Sequence, residues 1–251
     1  MLSRALVKDS LREVRNNPAR FISIVAIVVI GSALFVGIKG AAPDMKYTAD
    51  QYYDRQNMMD VRVLSTLGLA EEDVTAIAGA EGVESVQPGY FVDVTTNVNS
   101  YEYVFRVHSL PVADGTDSAP LNQPKLVSGR MPTQLDECVI EASRNFPFPK
   151  TVGDTITVAS GTASDISTVL GRSRYRIVGT VVSPFYLTFD HGSSEIGGGR
   201  IDLFMMVAAA EFKYPAYTEA LVTVQGAREL DSYSDGYQTQ VNRTVGRLQN
   251  L

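Results

Sequence analysis

The stretch ARFISIVAIVVIGSALFVGIKG, residues 19–40, decides how the rest of the chain is read. From Phe21 to Ile38 it holds 18 residues without a charge, and Lys39 follows. As an α-helix rising about 1.5 Å per residue, these cover about 27 Å, close to the roughly 30 Å hydrocarbon core of a bilayer. Ala19 and Gly40 to Ala42 lengthen the run at little cost. Ile24, Val25, Ile27, Val28, Val29 and Ile30 occupy every face of such a helix and leave no polar stripe for water. A signal peptide has a short basic start and an apolar stretch of about 7–15 residues. Here the preceding arm is twenty residues long and the apolar run is longer than that, although Gly40-Ala41-Ala42 imitates a cleavage site. A helix buried in a soluble core is the third reading. The sequence favours a retained membrane span over residues 19–42.

Charge orients it. Residues 1–20 carry Arg4, Lys8, Arg12, Arg15 and Arg20 against Asp9 and Glu13, a net +3, whereas residues 40–251 carry a net −10. Basic flanks stay in the cytoplasm, so the N-terminus is expected inside and the main domain outside the cytoplasmic membrane. Within residues 1–18, Val7, Leu11 and Val14 recur at i, i+4 and i+7, with Arg4, Lys8, Arg12 and Arg15 on the other faces. That spacing predicts a basic amphipathic helix lying on anionic membrane lipids, ended by Asn16-Asn17-Pro18.

Residues 43–226 are long enough for one large domain or two small ones. Their acidity argues against nucleic acid as a partner. Cys138 is the one cysteine, so no internal disulfide forms. DMKYTADQYYDRQNMM (44–59) reads as a helix continuing outward, and DVRVLS (60–65) as a half-buried strand. Leu69 to Ala80 reads as a short helix with Glu71, Glu72 and Asp73 at its positive end. VESVQPGYFVDVTTN (83–97) is strand-like with a break at Pro88-Gly89, and YEYVFRVHS (101–109) alternates cleanly. Residues 111–124 read as a loop. Short strands are expected at 137–141, 155–159, 175–182, 203–207 and 220–224. Ala227 to Leu251 spaces Leu230, Tyr237, Val241, Val245 and Leu248 by about 3.6, a helical pattern without a cap or stop signal. Strands outnumber helices and do not alternate with them, which points to α+β.

Catalytic constellations are weak. A Cys-His pair from Cys138 with His108 or His191 is formally possible, but Cys138 sits in the strand-like ECVIEA, where cysteine behaves as a small buried apolar residue. Neither histidine has a second ligand at metal spacing. Gly197-Gly198-Gly199 fits neither phosphate-binding pattern, and no G-x-S-x-G elbow occurs. Asn242-Arg243-Thr244 is a formal sequon that carries no weight.

LVSGRMPTQLDECVIEASRNF (126–146), VGDTITV (152–158) and YRIVGTVVSPFYL (175–187) together resemble the extracytoplasmic core domain of MacB/FtsX-like ABC transporter permeases. The family's GR-x-P step, acidic strand entry, GD turn and Y-x-I/V-V-G-x-V strand fall here on Gly129, Arg130, Pro132, Glu137, Gly153, Asp154, Tyr175, Val178 and Gly179. Each has a physical reading as scaffold. Gly129 suits a sharp turn, Arg130 can clamp a carboxylate such as Glu137, Pro132 fixes the exit, and Gly153-Asp154 makes a hairpin-type turn. LVKDSLREVRNNPARF with the span after it resembles the family's inner-surface helix and first transmembrane helix, and LAEEDVTAIAGAEGVESVQP resembles its early helix-then-strand unit.

The resemblance implies a chain with no chemistry and no cofactor of its own, ATP being bound by a cytoplasmic ATPase subunit. It implies a homodimer or paired permease whose outer domains move for export or for activating an extracytoplasmic peptide, lipoprotein or hydrolase partner. It also implies three further spans, with Ala227–Leu251 leading towards a second span or a coiled-coil insertion. A single-span anchored binding or sensor domain is the rival expectation. An anchored hydrolase is the third, and would lose activity on Cys138→Ala.

Overall fold

The computed structural model describes residues 12–110, 120–142, 148–188 and 190–251. Residues 1–11 of the amphipathic helix expected at 1–18, most of the expected loop at 111–124 and part of the motif segment, residues 143–147, lie outside them. Two compact units divide at Ala49 and Asp50.

The first unit is helical. Residues 12–16 form a short helical stretch, Asn17 breaks it, and α1 (Pro18–Arg55) starts on a proline, whose fixed φ and missing N–H suit a first helical position. No residue of α1 is buried, and Ile22, Ile27, Ile30, Leu34, Phe35, Val36 and Ile38 are each more than 60% exposed. Its apolar stretch has a mean hydropathy of 2.8 and the length to cross a membrane. The polar side chains within it turn inward: Ser23 Oγ donates to the Ala19 carbonyl at 2.9 Å and Ser32 Oγ to that of Val28 at 2.6 Å. Such back-bonding satisfies hydroxyls where no water is at hand.

The second unit, Asp50–Leu251, is α+β. Its three-stranded sheet is antiparallel, in the order β1 (Val61–Leu69), β10 (Tyr217–Val224), β2 (Val83–Gly89). Helix α2 (Glu71–Ala78) covers it, dropping Ile77 and Val74 among Leu69, Val83, Ala220 and Val222. Asp73 anchors the start of α2 by accepting the Ala70 N–H at 2.8 Å. Leu248 of α3 (Asp235–Leu248) joins the same cluster.

The seven-stranded sheet runs β3 (Phe91–Val98), β4 (Tyr101–Ser109), β9 (Leu203–Val207), β6 (Glu137–Glu141), β8 (Arg174–Val182), β5 (Lys125–Gly129), with β7 (Thr155–Thr157) on β8. Pairing is mixed: β4–β9 and β6–β8 are parallel, the others antiparallel. β3 and β4 form a hairpin through Asn99-Ser100, both at positive φ (51° and 65°), the turn geometry that matches strand twist. LFMMV in β9 is buried at every position because core packs on both faces. One face carries Phe105, Cys138, Ile156, Tyr175, Ile177 and Met205; the other carries Val139, Val178, Val181, Phe204 and Met206.

Three expectations need correction. β5 was not foreseen; its five residues are all exposed, since an edge strand has one neighbour and need not alternate. Helix α1 ends at Arg55 rather than Met59. The Met58 N–H reaches the Tyr53 carbonyl (3.0 Å) and the Asn57 N–H that of Asp54 (3.2 Å), with Asn57 at φ 48°. This is a left-handed cap made by asparagine. The last helix starts at Asp235, not Ala227, and it is capped: Ser234 Oγ accepts the Tyr237 N–H at 3.2 Å. Leu230 lies in the turns before it.

Candidate functional site

The residues singled out by motif gather on β8. Glu137 opens β6, fully buried, opposite Arg176 in parallel register. Arg130 grips its carboxylate with both Nη atoms (2.7 and 2.5 Å), Arg176 Nη2 adds a bond at 2.6 Å, and the Thr133 N–H another at 3.0 Å. The Arg130 guanidinium, then the Thr133 N–H, hold the carboxyl well below the usual range. Each oxygen is already engaged, so the group has no freedom to move a proton. Gly129 and Gly179 face each other across β5 and β8. A Cβ on Gly129, at φ 76°, would stand 2.3 Å from the Val178 carbonyl oxygen; one on Gly179 would stand 2.4 Å from that of Arg130. The two backbones touch there, and the Arg130 N–H donates to the Val178 carbonyl at 2.9 Å.

Tyr175, on the opposite face of β8, is buried and donates to Glu211 Oε2 at 3.0 Å; Arg172 pairs with the same carboxylate. Gly153, at φ 102°, and Asp154 close a turn. Asp154 accepts the Thr151 N–H at 2.8 Å, while Gly153 and Asp154 exchange backbone bonds with Ile177. Pro132 is half-buried on the loop into β6. This constellation fixes three strands and offers no reactive atom. Cys138 is fully buried, and burial pushes its thiol up to about 12. Among the described residues no hydrogen bond or ring contact joins it to His108 or His191, and no group of three metal-ligating side chains assembles.

A cleft of about 560 Å3 is the stronger candidate. Tyr53, Met58, Met59, Asp60, Glu84, Leu121, Leu187, Arg228, Tyr233 and Tyr237 contribute to its wall. It forms where residues 50–60 are tied to the segment after β10. Asp50 Oδ1 accepts both the N–H (2.9 Å) and Oγ–H (2.6 Å) of Ser232. The hydroxyls of Tyr53 and Tyr233 lie 3.1 Å apart, and burial pushes Tyr53 up to about 12. Arg228 donates to the Asp54 carbonyl at 2.8 Å. Asp60 accepts from Tyr237 Oη and from the Val224 N–H, both at 2.7 Å; burial nevertheless raises its carboxyl. From the other side, Asn122 and Gln123 donate backbone N–H groups to Asn57 and Gln56 (2.9 and 3.0 Å), and Asn122 Oδ1 accepts the Met59 N–H at 2.9 Å. Sequence reasoning missed this lacing. Its partners lie more than 60, and up to 182, positions apart, and its residue types are ordinary for turns.

No family model and no curated protein sequence matches the chain. Among solved structures it is similar to the extracellular domain of the noncanonical ABC-type transporter YknZ from Gram-positive bacteria. That match has 14% identity and a TM-score of 0.37, and covers 73% of this chain and 87% of that one. It is similar also to the periplasmic region of MacB from Actinobacillus actinomycetemcomitans. Here identity is 13% and the TM-score 0.37, over 75% of this chain and 76% of that one. The first is an extracellular domain and the second a periplasmic region.

Proposed function

We propose that the chain is the N-terminal part of an ABC transporter permease, without catalysis of its own, whose outer domain is moved by a membrane span. The observation that carries this reading is the treatment of α1's polar end. Residues 50–60 are held by a left-handed cap and by bonds from Asp50, Tyr53, Asp54 and Asp60 into the segment 224–237. A helix end fastened at so many points passes on displacement, where a flexible tether absorbs it. The work is mechanical: expelling a cargo already outside the membrane, or switching an outer partner. ATP hydrolysis belongs to a cytoplasmic subunit. The N-terminus lies inside and residues 50–251 outside, as the charge asymmetry directs.

The rival, an anchored binding or sensing domain, draws on the cleft, whose volume falls within the range of small-ligand sites. Purification of the tagged native gene product from its own membranes separates the two. The permease reading expects an ABC-type ATPase in stoichiometric amount and ATP-dependent cross-linking between outer domains. Recovery without any nucleotide-binding subunit sinks it and leaves the sensor.

A further inference from the structure

Where the two sheets of the second unit meet, buried His108 and Glu219 sit among half-buried charged and aromatic side chains. His108 (β4) is 2% exposed. Its Nε2 lies 2.7 Å from Tyr186 Oη, and its ring stacks on Phe185 at 4.7 Å. Four charges surround it. Arg106, also on β4, grips Asp93 of β3 with two bonds (2.7 and 2.9 Å). Arg62 of β1 binds Glu219 of β10 at 2.6 Å, its guanidinium over the Phe91 and Phe185 rings. Each cation therefore already has its anion. His108 Nδ1 stands 3.6 Å from Glu219 Oε1, beyond hydrogen-bond length. The next ring outward, His191, lies 4.8 Å from Tyr186, with its Nε2 2.9 Å from Glu141 Oε2.

This set balances only while the imidazole is neutral. A proton on His108 adds a positive charge whose nearest anion, Glu219, already holds Arg62 through Oε2 and keeps Oε1 beyond hydrogen-bond length, in a space walled by Phe91, Phe185 and Tyr186. We propose that His108 makes the join between the two sheets acid-sensitive, so that its protonation loosens β1 and β10 from β3 and β4. The inference stands whether or not the chain is a permease.

Burial above all, then the nearby Arg62 and Arg106, hold the imidazole below its ordinary value, although Glu219 pulls the other way. The sign follows. Opened, the ring takes up a proton near about pH 6.5; closed, it does so only at lower pH. Stability of the join is full above that range and falls as pH drops through it, until the closed form protonates too.

Hydrogen exchange of the full chain in detergent micelles tests this, between about pH 7.5 and about pH 5 with intrinsic rates corrected. Peptides of β10 and β1 should lose protection by up to about tenfold for each pH unit below about 6.5. Peptides of β6 and β9 should not. His108→Gln, neutral throughout, should flatten the response, and His191→Gln should keep it. Arg62→Gln frees Glu219 for the protonated imidazole and should also abolish the acid loss, which decides the matter if His108→Gln does not fold. Equal wild-type protection at both pH values, or an undiminished acid loss in Arg62→Gln, would overturn the proposal.

Discussion

At Gly129 the left-handed backbone and the Val178 carbonyl together exclude any side chain, while Gly153 shares the positive φ but faces open space. Substituting alanine separates the two causes. Gly153→Ala should cost about 1–2 kcal/mol, the strain of the conformation alone. Gly129→Ala should cost more, on the order of 3 kcal/mol or above, because strands β5 and β8 must part. Equal midpoint shifts in urea would contradict the close approach. The contacts of Glu137 divide in the same way by legibility. Arg130 is seven positions away, within reach of a sequence argument; Arg176 arrives through the parallel β6–β8 register, for which no local signal exists. His108 ended a strand pattern unremarkably, and nothing nearby announced Arg62 or Glu219.

Elements declare themselves by periodicity and stop by chemistry that is easily overlooked. α1 was legible because 18 uncharged residues admit few alternatives, yet its end depends on one asparagine in RQNMM. In α3 the apolar spacing ran past the true start, since Leu230 keeps the rhythm while sitting in turns. Ser234 sets the boundary instead. Ser234→Ala should lower stability by about 1 kcal/mol. Exchange should rise first in the opening turn, at Gly236 and Tyr237, where the cap bond is lost; unchanged protection there would show that the cap is idle. β5 illustrates the opposite failure: KLVSG has no face to hide, so no alternation betrays it.

Taken whole, the α+β class followed from the order of elements, but the division into two sheets did not. β4 with β9, β6 with β8 and β1 with β10 pair residues that are remote along the chain. Topology across the membrane is open to a direct check. Cys138 is buried and its thiol protonated, so a native chain offers it to no reagent. Leu67, 95% exposed on a bulge of β1, and Arg15 are suitable sites for single added cysteines. On intact cells a membrane-impermeant maleimide should label Leu67→Cys and spare Arg15→Cys until lysis. The reverse pattern refutes an inside N-terminus.

The seating of β10 between β1 and β2 also sets a timetable. During synthesis β1 and β2 are finished by Gly89, yet neither pairs with the other, and the strand that joins them ends only at Val224. For the interval in which some 130 residues are added, both strands wait with open edges, the state in which nascent chains mispair or are held by chaperones. The small sheet is therefore the later of the two sheets to close, and a ribosome pausing before residue 217 would leave it unmade.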